Sequence, residues 1–231
     1  ALSLAYLVGV RAETSSVLVV NLDGTITSMS AELVSEAVAY AEERGQPVIL
    51  ILNTPGGSLD ATFKIIDTIR DSRVPVIGYV YPEGSRAWSA GTYILMATHV
   101  AAMAPHTIIG SCQPVAFNPL GGTQPINETK TINALTAYMA EEAKAHNRNE
   151  TAARLFVTEN LNLGADEALR YGVVEIVAES IGELLERIDG MTVKTMVGPV
   201  TLKTSGATIE RWEPSFRLQV LGSLGKPLRA T

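Results

Sequence analysis

The 231-residue sequence has few of the residue types on which several classes of protein depend. Its single cysteine, Cys112, excludes an internal disulfide and a zinc site built from cysteines. No apolar run reaches the ~18 residues that a membrane helix needs. Acidic side chains outnumber basic ones by 24 to 18 and no basic patch is visible, so nucleic acid is not expected as a partner.

Aliphatic residues are what the sequence has in abundance. Apolar residues make up 46% of the chain, charged residues 18% and aromatic residues only 6%. This balance excludes a disordered chain and predicts an aliphatic core, within one large α/β domain or two small ones. No pattern of metal ligands or of cofactor binding is present, so no cofactor is expected.

Strands and helices alternate along the first half of the sequence. Apolar runs predict buried strands at 17–20, 47–52 and 75–81, with further strands at 99–104 and 107–110. The short connections predict a mostly parallel sheet with right-handed crossover helices. Such sheets bind ligands where the strands end and the helices begin, and two turns of that kind occur at 53–58 and 82–89.

The second half begins with residues 113–129, which predict a long irregular loop rich in proline and glycine. Helices are expected next, at 130–145, 151–158 and 165–171, and a capping box at Ser180 predicts one ending near Ile188. Residues 191–212 have the pattern of β-hairpins, with one hairpin turning at Ser205-Gly206.

The two ends of the chain differ from the rest. Residues 2–10 are apolar and are followed by a polar break, so we interpret residues 1–16 as a signal-peptide remnant with its leader, which would place the domain outside the cytoplasm. A buried first strand is the alternative. Residues 214–231 lack the pattern of a packed element and are interpreted as a tail or linker.

Ser89 is the first candidate for catalysis, because it lies where a predicted turn opens a helix and is followed by small residues. A helix N-terminus stabilises developing negative charge, although a serine there is also a common N-cap. The Gly56-Gly57 turn exposes backbone N–H groups that suit an oxyanion. We therefore expect the N–H groups of Gly57 and Ala90 to converge on one carbonyl oxygen.

A serine nucleophile needs a base, and the sequence offers few. None of the three histidines, His99, His106 and His146, has a compelling place. Lys130 follows the long loop at the start of a helix, where the dipole disfavours a cation. A lysine in an apolar site loses its proton more easily and can act as a base, whereas an ordinary solvated lysine is the simpler interpretation.

Several strings of residues occur together and in order. They are 52–57 (LNTPGG), 75–82 (PVIGYVYP), 87–94 (AWSAGTYI), 103–105 (MAP) with 109–110, and 167–175 (EALRYGVVE). In this order the strings resemble the ClpP/crotonase superfamily, and within it the NfeD-type stomatin operon partner proteins, which are membrane-associated serine proteases with a Ser-Lys dyad. The resemblance covers about residues 17–190, which we take as a ClpP-like serine protease domain. It implies a spiral of mostly parallel strands with crossover helices, to which residues 191–213 add a β-hairpin extension.

The resemblance implies roles for particular residues. Ser89 would be the nucleophile, Lys130 the general base, and the backbone at Gly57 and Ala90 the oxyanion hole. The substrates implied are apolar segments, notably of stomatin-like membrane proteins. The residues expected to contact substrate are Gly56, Trp88 and Tyr93 beside the nucleophile, and Val115, Phe117, Leu120 and Ile126 in the 113–129 loop.

The resemblance also implies a homodimer or larger assembly, and membrane association through segments that follow the protease domain in relatives. Two departures from the family pattern matter. Cys112 stands before Gln113-Pro114, where ClpP-type peptidases have a histidine base, so a Ser-His-Asp triad is not expected. Trp88 precedes the serine, where the family has a small residue, which predicts a narrower subsite.

Two alternatives stay open from the sequence. A crotonase-like acyl-CoA enzyme would share the fold and the oxyanion hole, but it usually needs acidic residues near the thioester. Here the turns carry only Asp60 and Glu83, and Ser89 would have no role. A catalytically inactive scaffold that binds membrane partners through an apolar cleft is the other alternative.

Overall fold

The computed structural model describes residues 15–117, 122–214 and Leu218. The strands are β1 (Ser16–Asp23), β2 (Val48–Asn53), β3 (Val76–Val80), β4 (Arg86–Trp88), β5 (Val100–Met103), β6 (Ile108–Gly110), β7 (Val115–Phe117), β8 (Thr123–Pro125), β9 (Asn162–Gly164), β10 (Ile176–Val177), β11 (Thr192–Thr195), β12 (Gly198–Thr201) and β13 (Thr208–Arg211). The helices are α1 (Ser28–Arg44), α2 (Leu59–Arg70), α3 (Ala90–Ala97), α4 (Thr129–Ala145), α5 (Glu150–Thr158), α6 (Ala165–Tyr171) and α7 (Ile181–Ile188). The predicted α/β class, with a central parallel sheet and crossover helices, is confirmed.

The main sheet has six strands in the order β10-β5-β3-β2-β1-β13, and every pair in it is parallel. Successive residues of β1 point into two separate cores. Leu18 and Val20 pack in the core that contains α1 to α5, whereas Val17 and Val19 pack in the core that contains α7 and β11. Because both faces are covered, the strands are continuous apolar runs rather than alternating ones.

A small second sheet carries the residues that lead to Ser89. It has the order β4-β6-β9, in which β4 and β6 are parallel and β9 is antiparallel to β6. An isolated bridge between Thr54 and Ala87 joins β4 to the chain just after β2. The turn that follows β2 therefore lies directly beside β4.

A buried ion pair holds the far end of α3. The Arg148 guanidinium is 2.7 Å from Glu175 and donates hydrogen bonds to the carbonyls of Met96 and Thr98, where α3 ends. The Arg148 side chain is 1% exposed, and Glu175 also accepts a bond from the N–H of Ala101 on β5. Helix α3, which begins next to Ser89, is thus held in place by three other parts of the chain.

Two predicted regions differ in the structure. Within 113–129, expected to be irregular, β7 and β8 form an antiparallel pair, which the prolines and glycines of this segment obscured. The hairpin expected around Ser205-Gly206 does not form. Strand β12 pairs with β11, and β13 adds to the open edge of β1, because an alternating pattern does not say which strand is the partner.

Candidate functional site

Ser89 occupies the junction between β4 and α3, as the sequence predicted. Its backbone has φ 49° and ψ −111°, a conformation that residues with a side chain rarely adopt. The strain is held by neighbours, since the N–H of Ser89 donates to the carbonyl of Gly110 over 2.9 Å. Strained backbone at one serine, fixed from outside, is typical of a functional position.

Gly56 brings the turn after β2 against this serine. A Cβ on Gly56 would lie 3.0 Å from the Ser89 Cβ and 3.5 Å from its Oγ, and the φ of Gly56 is +112°. The turn is fixed to β4 by two backbone hydrogen bonds, from Thr54 N–H to the Arg86 carbonyl and from Trp88 N–H to the Thr54 carbonyl. Only a glycine permits both the backbone angle and this close approach.

Two backbone N–H groups near Ser89, those of Gly57 and Ala90, are the candidates for an oxyanion hole. The N–H of Ile26 donates to the Gly56 carbonyl and the N–H of Ser58 donates to the Ile26 carbonyl, over 2.9 and 2.8 Å. Because successive N–H groups of an extended chain alternate in direction, the N–H of Gly57 points away from Ile26. Ala90 is the first residue of α3, so its N–H has no acceptor within the helix, and the Ser89 side chain does not cap it.

Thr92 ties the parts of the site together, and sequence reasoning did not single it out. Its hydroxyl donates to the Ala87 carbonyl over 2.7 Å and accepts from the Gly110 N–H over 2.8 Å, so β4, β6 and α3 meet at one side chain. A Cβ on Gly91 would lie 2.6 Å from the Cγ2 of Thr54, which explains a glycine inside a helix. The sequence signal that could have identified Thr92 is a threonine three residues after the candidate serine.

Lys130 is the second residue of α4 and is exposed. It forms no hydrogen bond or ion pair with any residue in the described part of the chain, and the structure does not bring it into contact with Ser89. The cap of α4 is Glu128, whose carboxylate accepts a bond from the Thr131 hydroxyl. The expected apolar surroundings of Lys130 are therefore absent here, because the first turn of α4 faces solvent.

The histidines lie elsewhere. Burial lowers the pKa of His99 to about 4, and its Nδ1 accepts a bond from the N–H of Val76 over 3.0 Å. Burial, with nearby Arg148, lowers the pKa of His146 to about 3, and the rings of His99 and His146 are 6.2 Å apart. His106 is exposed, 3.7 Å from Glu83. None of the three forms a hydrogen bond with Ser89 among the described residues.

The residues expected to contact substrate beside the nucleophile separate into two kinds. Gly56 touches Ser89 and Trp88 is half-buried next to it. Tyr93 is wrong as a cleft residue. Its side chain is 2% exposed and its hydroxyl donates to the Cys112 carbonyl, because α3 is buried on every side. Helical periodicity in the sequence could not reveal that Tyr93 is buried, because all eight residues of α3 are buried.

Three of the four residues expected in the 113–129 segment, Val115, Phe117 and Ile126, lie on or near the β7–β8 pair. Val115 begins β7 and is 53% exposed, and Phe117 ends that strand. Ile126 follows β8, is half-buried, and its N–H donates to the Pro114 carbonyl. Leu120 lies outside the described residues, as do residues 1–14, on which the proposed leader falls.

Neither a metal site nor a membrane span is found within residues 15–117 and 122–214. No three His, Cys, Asp or Glu side chains in this part lie together so that they could hold a metal ion. No helix described here is long and apolar enough to cross a bilayer.

Comparison with known proteins agrees with this geometry. A family model described as "NfeD1b, N-terminal domain" matches residues 16–194. The chain is 38% identical over 214 residues to the membrane-bound protease PH1510 of Pyrococcus horikoshii, an alignment that covers 91% of this chain and 48% of that protein. It is 28% identical over 193 residues to the membrane protein NfeD1b of Bacillus subtilis, with 77% and 42% covered.

Solved structures point the same way. The 1510-N membrane-bound stomatin-specific protease, solved as a lysine-to-alanine variant with a substrate peptide, superimposes with a TM-score of 0.85 at 37% identity. The match covers 92% of this chain and 98% of that one. A serine-to-alanine variant of the same protease gives a TM-score of 0.81.

The fold and the serine site define a ClpP-like α/β protein, and Clp protease proteolytic subunits are among the relatives, at 27% identity for that of Protochlamydia amoebophila over 71% of this chain and 81% of that protein. Within that class, the chain belongs to the NfeD1b N-terminal domain family, as its resemblance predicted. It spans about half the length of the curated relatives PH1510 and NfeD1b.

Proposed function

We propose that this chain is the peptidase domain of a membrane-associated protein, with Ser89 as the nucleophile and Lys130 as the general base. The observation that carries the proposal is the strained Ser89 turn, held against Gly56 with the N–H groups of Gly57 and Ala90 left for an anion. A helix N-cap serine does not need a positive φ or a glycine pressed against its side chain.

In this mechanism the Ser89 Oγ attacks the carbonyl carbon of a peptide bond while the neutral amine of Lys130 takes its proton. The oxygen of the tetrahedral intermediate accepts hydrogen bonds from the N–H groups of Gly57 and Ala90. Lys130 then gives the proton to the leaving amine, and the bond between the peptide nitrogen and the carbonyl carbon breaks. A water molecule, deprotonated by the same amine, hydrolyses the acyl-enzyme and restores Ser89.

Lys130 is exposed and does not contact Ser89 in the structure, so the role of base requires the lysine to move. A bound peptide has to bring its Nζ within about 3 Å of the Ser89 Oγ, which is the reach of a general base. Residue spacing supports the pair. The serine and the lysine changed to alanine in the solved relatives are 41 positions apart in their own numbering, and Ser89 and Lys130 are also 41 positions apart.

The proposed substrates are hydrophobic segments of stomatin-like membrane proteins. Support comes from the relative that is named a stomatin-specific protease, and from the apolar residues Val115 and Ile126 near the start of α4. We further propose an extracytoplasmic position for the domain and a homodimer or larger assembly. A sedimentation mass near 24.6 kDa at micromolar concentration would count against that assembly.

The test is cleavage of apolar peptides together with labelling by a fluorophosphonate, measured on wild type, Ser89→Ala, Lys130→Ala and Lys64→Ala. Lys64 is an exposed lysine in the middle of α2 and serves as the matched control. Removing a nucleophile costs several orders of magnitude in rate, so Ser89→Ala must lose both signals. Cleavage by Ser89→Ala at a tenth of the wild-type rate or more would reject the assignment, and an unlabelled, inactive wild type would favour a binding scaffold.

A further inference from the structure

The small sheet β4-β6-β9 has an inner and an outer face. Ala87, Ile109 and Leu163 point inward and are 0 to 3% exposed. Since side chains alternate along a strand, the residues between them point outward. On the outer face Arg86 lies opposite Ile108, and Trp88 lies opposite Gly110.

This outer face carries an exposed isoleucine, an exposed arginine and a half-buried tryptophan, and the tryptophan directly precedes Ser89. Ile108 is 41% exposed, and Gly110 offers no side chain to cover the ring of Trp88. Trp88 directly precedes Ser89, so the face begins one residue from the candidate catalytic atom. We call Arg86, Trp88 and Ile108 the outer patch.

Two polar groups of the outer patch have no hydrogen-bond or ion-pair partner among the described residues. The indole N–H of Trp88 is buried and makes no hydrogen bond, which costs roughly 1–3 kcal/mol. The Arg86 guanidinium lies 4.9 Å from the centroid of the Trp88 ring and forms no ion pair with any described residue. A cation resting on an indole ring is a weak contact that a ligand can replace.

We propose that the outer patch is a substrate subsite, which takes a large apolar side chain of the peptide on Trp88 and Ile108 and an acidic group next to it at Arg86. The inference rests on the proposed peptidase function and names its specificity. An extended peptide advances about 3.3 Å per residue, so side chains within one or two residues of a bond held at Ser89 reach Trp88. A peptide carbonyl that reaches the buried indole N–H of Trp88 would give it the acceptor that it lacks.

The test measures the ratio of kcat/KM between leucine and alanine peptides, which a general loss of activity does not change. Peptides with leucine or alanine at each of three positions on either side of the cut are compared by kcat/KM in wild type, Ile108→Ser and Ile209→Ser. Ile209 on β13 is the matched control, because it is also 41% exposed and lies on the far edge of the main sheet. Ile108→Ser is expected to lower the leucine-to-alanine ratio at one position by about tenfold, the effect of uncovering part of one large apolar side chain.

A second arm tests the charge. At the position neighbouring the apolar one, wild type is expected to prefer aspartate to lysine, and Arg86→Glu is expected to reverse that preference. Equal ratios in Ile108→Ser and Ile209→Ser, or an aspartate-to-lysine preference that Arg86→Glu leaves unchanged, would overturn the subsite while peptide cleavage by wild type stands. A wild type that neither cleaves peptides nor reacts with a fluorophosphonate would overturn the peptidase function, and the subsite with it. Thermal unfolding of each variant checks that the fold is kept.

Discussion

At the scale of single residues, the site depends on the close approach of Gly56 to Ser89. Ser89 has a positive φ, and Gly56 has one too, with no room for a methyl group on the side of Ser89. The positive φ is a strain at Ser89, whereas glycine adopts such an angle without steric cost, and both residues fit a need for close backbone approach. The serine and the Gly56-Gly57 turn could be found in the sequence, because glycine pairs and serines at helix starts are visible there. Their contact could not, since it depends on β4 lying beside Thr54.

Gly56→Ala tests whether the close contact with Ser89 is needed for activity, apart from its effect on the free energy of unfolding. The new Cβ would lie 3.0 Å from the Ser89 Cβ, so we expect loss of at least tenfold in peptide cleavage and slower fluorophosphonate labelling. Gly45→Ala is the control, because Gly45 also has a positive φ, +63°, but nothing lies within 4 Å of its added Cβ. Both variants are expected to lose about 1 kcal/mol of unfolding free energy from the backbone alone. An active Gly56→Ala enzyme would show that the contact with Ser89 is not needed.

Lys130→Arg tests whether the lysine acts as a base or only as a charge. The guanidinium stays protonated in proteins, so it keeps the charge but cannot accept the proton of Ser89. We expect Lys130→Arg to be as inactive in peptide cleavage as Lys130→Ala, with thermal unfolding unchanged in both because the residue is exposed. Activity of Lys130→Arg near the wild-type rate would leave the lysine with an electrostatic role only.

At the scale of elements, the sequence predicted those whose partners are near in the chain and missed those whose partners are distant. Strands β1, β2 and β3 and the connecting helices follow from apolar runs and short connections. Strand β13 pairs with β1, although nearly two hundred residues separate them in the sequence. Glu210 on β13 accepts hydrogen bonds from Tyr40 on α1 and from Gln46, which follows α1. The β7–β8 pair was missed because short edge strands with proline resemble a loop.

Arg148 is the residue on which the placement of α3 most depends, and its removal tests this. Arg148→Met leaves the carbonyls of Met96 and Thr98 without this donor and removes one of the two donors to the Glu175 carboxylate. Losing one partner of a buried pair costs about 3–5 kcal/mol, and because the Glu175 side chain is 28% exposed we expect about 3 kcal/mol. Urea unfolding measures the loss. Arg187→Met is the control, because its pair with Glu183 is exposed on α7, where an ion pair contributes little to stability. Similar losses in the two variants would mean that the buried pair does not anchor α3.

At the scale of the whole molecule, stability against acid follows from two half-buried histidines, His99 and His146. Their pKa values are lowered to about 4 for His99 and about 3 for His146, first by burial and then by the charge of Arg148, against about 6.5 in an unfolded chain. Below pH 6.5 the unfolded chain therefore binds protons that the folded chain does not. Stability is fully present above that pH and is lost as the pH falls toward 4, by up to about 1.4 kcal/mol per pH unit for each histidine.

Urea unfolding at pH 7, 5.5 and 4.5 measures this loss. The geometry supports it independently, since the Nδ1 of His99 accepts the Val76 N–H and cannot take a proton without losing that bond. We expect the double variant His99→Gln, His146→Gln to start less stable at pH 7 but to lose less unfolding free energy between pH 6.5 and 4.5 than wild type. His106→Gln, which changes an exposed histidine, is expected to keep the wild-type slope. If the double variant has the same slope as wild type, carboxyl groups rather than these two histidines set the acid limit, and the ring pair is only a packing contact.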